Sequence, residues 1–303
     1  MRLSIVIPHH NDEPRLRRLL KSIPLEQDGI EVIVVDDHST RDYDPAALTQ
    51  SFPQVRFLSN DRGKPGAGAA RNTGLEQASG DWLLFADSDD YFLPGAFELL
   101  AEYRDHPAEV VFFSPCSQDE SDGQFEHLRD RTQNYRRIVH NFCQSGEELA
   151  IRLRFFVPWS KLIRHSLIQR HQIRFDEVIA GNDLLFSLQV GLYAKQISAT
   201  ERSLYCVTRN GGSLTTQTDW PRLESRLGAT IRYNDLLRQH GLAEQQHSLL
   251  GFVVRARKLG WRKGLQAVQI IARSDNRFLV KSPWAYLSQI PHYLARIRYL
   301  SRM

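Results

Sequence analysis

Trp82-Leu83-Leu84-Phe85-Ala86, followed at once by Asp87-Ser88-Asp89-Asp90, is the stretch on which the fold of this chain turns. Five apolar residues without alternation fit a short strand buried on both faces, as in a parallel sheet. The run stops at three carboxylates within four residues, whose mutual repulsion costs stability unless a positive charge sits among them. Ligands of open α/β sheets lie outside the carboxyl ends of the strands. Clustered carboxylate oxygens at such a place suit hard divalent cations, Mn²⁺ or Mg²⁺. An Asp-rich turn held by its own backbone and by water is the plainer account of the same residues.

Working outward, strand-like runs at 3–8, 31–36, 55–59, 82–86 and 110–114 alternate with helical patterns around 15–23, 45–50, 67–77 and 94–103. This alternation predicts an α/β fold with a mostly parallel sheet flanked by helices. Residues 117–137 are polar and read as an irregular surface loop. A helix over 146–156 follows, then a break at Pro158-Trp159, a helix over 183–193, and short strands at 196–199 and 204–208. From Pro221 onward the pattern is helical, with breaks at Gly241, 274–276 and Pro283.

The chain has 303 residues, 42% hydrophobic and 24% charged, which suits one large or two modest globular domains. Cys116, Cys143 and Cys206 are sparse and odd in number, which fits a reducing cytoplasm better than a disulfide scaffold. The opening run is strand-like and wrongly flanked for a signal peptide, and no window is apolar enough to span a bilayer, so a cytoplasmic location is expected. Net charge is +4 but unevenly placed: residues 251–303 carry eleven Lys or Arg against Asp275, a net +10, leaving −6 on the rest. In the tail, Trp284, Leu287, Ile290, Leu294, Ile297 and Leu300 recur at helical spacing near Arg296, Arg298 and Arg302, interrupted by Pro291. Two readings stand there: peripheral contact with an anionic inner leaflet, or a helix packed on the body or on a second copy. No nucleic-acid-binding motif accompanies the charge, so nucleic acid is not an expected partner.

Two further strand ends carry polar signals. Asp36-Asp37-His38-Ser39-Thr40 closes the second strand, where a carboxylate could accept from a base edge or a ribose hydroxyl, or simply stabilise a turn. Asp61 to Gly74 (DRGKPGAGAARNTG) is a Gly-rich loop opening a helix, a geometry suited to anions. It is neither a Walker A loop nor a dinucleotide fingerprint, because Lys64 precedes the key glycines and Arg71 stands where the third Gly would be. Gly66 and Gly68 with Ala69 and Ala70 serve close approach, either to a diphosphate or in helix–strand packing, while Arg71 can meet a diphosphate or pair with the strand-end carboxylates.

Together, SIVIPHHND, VIVVDDHST, GAGAARNTGLEQASGDWLLFADSDD and YFLPGAFELL resemble the family 2 glycosyltransferases of the GT-A fold from Met1 to about Phe113. The resemblance implies inverting transfer of a sugar from a nucleotide diphosphate, usually UDP, with Mn²⁺ or Mg²⁺. It implies Pro8, His9 and Asp37 at the base and ribose, with Gly68, Arg71, Asp87 and Ser88 also at the donor, and Asp87 with Asp89 as the metal pair. His38 departs from the usual Gly. Later segments resemble the capsule- and lipopolysaccharide-building branch. VPWSKLIRHSLI (Pro158, Trp159, Lys161) is similar to its Pro-Trp-x-Lys element, and YCVTRNGGSLTT implies Arg209 and Ser213 near the donor phosphates or acceptor. RFDEVIAGNDLLFSLQV implies Asp183 as catalytic base, although Asn182 stands where that branch carries Glu. Asp183 has a plain role as a first-turn helix acid, where the dipole would keep it ionised and a weaker base; Asp176 and Glu177 are the fallback bases.

The resemblance thus implies a GT-A domain over 1–215, with a nucleotide-sugar half (1–115) and an acceptor half (116–215); the helical pattern and the charge add a basic helical region over 216–303. The acceptor would be a hydroxyl of a surface glycan or lipid-linked saccharide; oligomeric state is left open. Two competitors are a non-catalytic nucleotide-sugar-binding subunit, motivated by Asn182, and a sugar-1-phosphate nucleotidyltransferase. Against the latter, Pro8-His9-His10-Asn11-Asp12 occupies the place of its Gly-rich loop.

Overall fold

The computed structural model describes residues 1–40, 43–119, 132–209, 219–276 and 278. The chain divides into two compact units, Met1–Gln217 and Thr218–Met303.

In the first unit the elements run β1 (Leu3–His9), α1 (Glu13–Lys21), β2 (Ile30–Asp36), α2 (Pro45–Ser51), β3 (Val55–Ser59), α3 (Ala67–Gln77), β4 (Trp82–Phe85), β5 (Tyr91–Phe92) and α4 (Ala96–Ala101). They continue with β6 (Val110–Phe113), β7 (Cys116–Asp119), α5 (Thr132–Ser145), α6 (Leu149–Arg154), β8 (Lys161–Arg164), α7 (His165–His171), α8 (Asn182–Tyr193), β9 (Ile197–Thr200) and β10 (Tyr205–Arg209). A seven-stranded sheet has the order β3-β2-β1-β4-β8-β6-β9. It is parallel as expected, except that β8 runs antiparallel to both β4 and β6. β1, β4 and β6 are buried at every position, which is what unbroken apolar runs require of central strands. Asp12 and Asp44 cap α1 and α2 through their side chains, each followed by a first-turn proline. α3 lies close on the sheet because Gly74 has no side chain: a Cβ there would meet Val6 Cγ1 at 2.5 Å.

Chain order reverses beside β1, with β2 and β3 on one side and β4 on the other. That switch point is where open α/β sheets place their ligands. A second sheet, β5-β10-β7, pairs β10 antiparallel with β5 and parallel with β7.

The structure corrects the sequence reading at several places. The expected loop 117–137 begins within β7 and ends within α5; its middle, 120–131, lies outside the described residues. β5, β7 and β8 went unread: each has four residues or fewer and, unlike the equally short β4 and β6, none is an unbroken apolar run apart from the two-residue β5. The second unit holds α9 (Trp220–Gln239), α10 (Leu250–Lys258) and α11 (Trp261–Ala272) around Leu223, Leu227, Leu249, Phe252, Ala256, Ala267 and Ile271. The apolar-and-basic pattern over 284–302 lies outside the described residues. No helix among the described residues is long and apolar enough to cross a membrane.

Candidate active site

Pro8 and His9 close β1, and Asp36, cross-strand partner of His9, closes β2. The His9 ring is 1% exposed, 5.0 Å from the Tyr43 ring, and neither of its nitrogens has a hydrogen-bond partner among the described residues. Burial lowers its pKa, so the neutral imidazole is the favoured form. Asp37 accepts hydrogen bonds within the protein through both carboxylate oxygens. Its Oδ1 accepts from Asn60 Nδ2 at 2.7 Å and its Oδ2 from the Gly66 N–H at 2.7 Å, tying the end of β2 to the Gly-rich loop. Among the described residues the acceptor left without a partner beside His9 belongs to Asp36, whose Oδ1 is buried while Oδ2 takes the Ser39 N–H at 3.1 Å. Nothing in the sequence ranks one of two adjacent aspartates above the other.

At the end of β4, Asp87, Asp89 and Asp90 each bring a carboxylate oxygen within 4.8 Å of the others. Asp87 is half-buried, Asp89 exposed and Asp90 buried. β10 holds the turn that carries Ser88. Tyr205 Oη donates to Asp90 Oδ2 at 2.8 Å and accepts the Asp87 N–H at 2.8 Å, and the Thr208 N–H reaches Asp90 Oδ1 at 2.7 Å. The Asp89 carbonyl accepts from Thr208 Oγ1 at 2.6 Å and from the Arg18 guanidinium of α1. Burial, then repulsion from Asp89 and Asp87, raises the Asp90 carboxyl well above the usual carboxylate range. Asp90 and Tyr205 were missed as site residues; the third acid of the cluster was the available sign. An all-carboxylate donor set with this spacing fits a hard divalent cation, with Asp87 and Asp89 as the accessible members.

α3 connects this cluster to α8. Arg71, 5% exposed, donates through Nη2 to Asp87 Oδ1 at 2.5 Å and through Nη1 to Asn182 Oδ1 at 2.9 Å, with its guanidinium 5.4 Å from the Phe175 ring centre. It bonds to protein acceptors on both sides. Asn72 exchanges hydrogen bonds with the Phe175 backbone, at 3.0 Å through Nδ2 and 2.9 Å through Oδ1. Gly68 lets α3 approach the Asp176 loop and α8: a Cβ there would lie 2.2 Å from the Asp176 carbonyl oxygen and 2.8 Å from Asn182 Cβ.

Asp183 occupies the first turn of α8. The dipole argument alone made it a weaker base. In the folded chain desolvation outweighs the pull of Arg71 and raises its pKa, with Asp87 adding to the rise. Buried Lys161 donates to the Phe155 carbonyl at 2.7 Å and is pushed down to about 7 by burial, Asp183 opposing the shift. Of the fallback bases, Glu177 is committed to structure: it accepts from Arg62 at 3.0 Å and Asn72 at 3.2 Å, with Lys64 at 3.8 Å. The half-buried Asp176 donates its N–H to the Asn182 carbonyl at 3.2 Å. Arg209 ends β10 with its side chain outside the described residues, and Ser213 lies outside them entirely.

A family model described as glycosyl transferase family 2 matches residues 4–171. The chain is 28% identical over 224 residues to the glycosyltransferase GlyA of Streptococcus pneumoniae, covering 70% of this chain and 31% of that protein. It is 27% identical over 199 residues to the GalNAc(5)-diNAcBac-PP-undecaprenol beta-1,3-glucosyltransferase of Campylobacter jejuni, covering 64% and 60%. It therefore spans 31% of the length of the first relative and 60% of the second. The crystal structure of residues 1–349 of Staphylococcus aureus TarS with UDP-GlcNAc aligns with a TM-score of 0.63 and 22% identity, over 88% of this chain and 75% of that one, a likeness of fold.

Proposed function

The chain belongs to glycosyl transferase family 2, and on that premise we propose that it transfers a sugar, with inversion, from a UDP-sugar to a hydroxyl of a surface glycan or lipid-linked saccharide. Residues 1–215 are the transferase domain in this reading, and 216–303 a basic helical region. Pro8, His9, Asp36 and Asp37 receive the base and ribose, the unpartnered polar atoms of His9 and Asp36 supplying the recognition. Asp87 and Asp89, with Ser88 between them, hold Mn²⁺ or Mg²⁺, which when bound would act as Lewis acid toward the departing diphosphate. Asp183 takes the proton of the acceptor hydroxyl, on the face of the sugar opposite the diphosphate. Its raised proton affinity makes it a better acceptor than an exposed aspartate.

The observation carrying this reading is Arg71, which ties Asp87 at the tip of β4 to Asn182 at the start of α8, so that Asp183 lies within electrostatic reach of both Arg71 and Asp87. UDP as the nucleotide is supported by fold likeness to a protein crystallised with UDP-GlcNAc. A lipid-linked acceptor is supported by the relative named for one. The test is a panel of nucleotide sugars and acceptors with Mn²⁺, read as UDP release. Asp183→Asn should bind UDP as the wild type does and release none. Consumption of UTP with pyrophosphate release would make the protein a nucleotidyltransferase, and UDP binding without release from any pair would make it a non-catalytic subunit.

A further inference from the structure

Five of the seven exposed large hydrophobic side chains among the described residues crowd into positions 250–265: Leu250, Val254, Leu259, Trp261 and Leu265. They belong to α10, to the Leu259-Gly260 turn and to α11, whose inward sides already bury Phe252, Ala256, Ala267 and Ile271. The hairpin shares that core with Leu223 and Leu227 of α9 and leaves these side chains exposed. Trp261, at the turn, is 66% exposed. The same stretch carries exposed Arg255, Arg257, Lys258 and Arg262, the last with its guanidinium 5.4 Å from the Trp261 ring centre. From Gln245 to Ser274 there is no Asp or Glu.

We propose that the α10–α11 hairpin docks on a bilayer carrying anionic phospholipid, with the Leu259–Trp261 turn entering the interface. A bilayer meets both halves of the surface at once: its headgroups answer the cations, and its acyl boundary takes Leu, Val and the indole. A second copy of the chain would set this acid-free, cationic face against itself, placing like charges together. Nucleic acid would use the cations and leave exposed leucine and valine unexplained. The inference does not depend on the transferase reading, since binding is measured without donor.

The experiment is co-sedimentation of the full chain with phosphatidylcholine vesicles, with and without about a third phosphatidylglycerol. Wild type should bind the anionic vesicles, leave neutral ones largely free, and be released by salt. Arg257→Gln with Lys258→Gln should weaken partitioning by about tenfold or more, at about fivefold per surface cation. Trp261→Ala with Leu265→Ala should do so by about tenfold through lost apolar contact. All four side chains are exposed, so thermal unfolding of both variants should match wild type. No binding to anionic vesicles overturns the proposal. So does binding that survives both variants, which would assign docking elsewhere, residues 284–302 included. A lipid-indifferent dimer dissolved by Trp261→Ala would overturn it as well.

Discussion

Arg71→Met tests the candidate site at its centre. The guanidinium is 6% exposed at its side chain and bonds Asp87 and Asn182 at 2.5 and 2.9 Å. Removing one partner of a buried ion pair costs about 3–5 kcal/mol. The Asp87 side chain is 26% exposed, so water recovers part of its solvation, and about 2–4 kcal/mol is the expected loss in denaturant unfolding. The kinetic consequence has a definite sign. Arg71 is foremost among the influences that lower the Asp183 pKa against its burial, so its loss lifts that pKa further. A base works ionised; the acid limb of kcat/KM must therefore move to higher pH, with activity lost first at low pH. Arg71→Lys returns the charge without a planar fork spanning both acceptors, so the acid limb should fall back toward wild type while stability recovers in part. An acid limb that stays in place or moves to lower pH in Arg71→Met would refute the coupling of Arg71 to Asp183. A stability loss below about 0.5 kcal/mol would refute the buried clamp.

Other consequences follow from the same geometry. Asp183→Asn should unfold at higher denaturant than wild type at neutral pH while losing transfer, because a carboxylate whose folded pKa is raised above its unfolded value destabilises the fold once ionised. Equal or lower stability would place the side chain in a structural role. Gly68→Ala should cost roughly 1–3 kcal/mol and displace α8, lowering kcat by on the order of 10²-fold with UDP affinity nearly kept; calorimetry and turnover on one preparation separate the two. For Lys161, lowered to about 7 in the fold, the neutral amine is favoured, so its penalty is full below pH 7 and fades toward its unfolded value. Relative to Lys161→Met, wild-type stability should rise between pH 7 and 10, and parallel profiles would contradict that burial. Asp89→Asn, altering an exposed carboxylate, should leave the melting temperature unchanged and cut Mn²⁺-supported UDP release by on the order of 10²-fold.

Much of the fold was readable one strand at a time. Unbroken runs such as Ile5-Val6-Ile7 and Leu83-Leu84-Phe85 have no polar face, so they must lie between helices in a parallel sheet. Acids directly after such runs can lie only at strand ends, which made Asp87 and Asp89 legible as neighbours of the switch point. What local order could not say is which polar atoms remain free once distant segments arrive. Asp37 closes on Asn60 and Gly66, Glu177 is drawn to Arg62 and Asn72, and the space beside Gly68 is filled by Asp176. Among the described residues Asp36 keeps the unpartnered oxygen. The direction of the Asp183 shift likewise belongs to tertiary structure, because a helix dipole is local, whereas desolvation is imposed by everything packed around the carboxylate. Periodicity is a property of neighbours in sequence; hydrogen-bond satisfaction and burial are properties of neighbours in space.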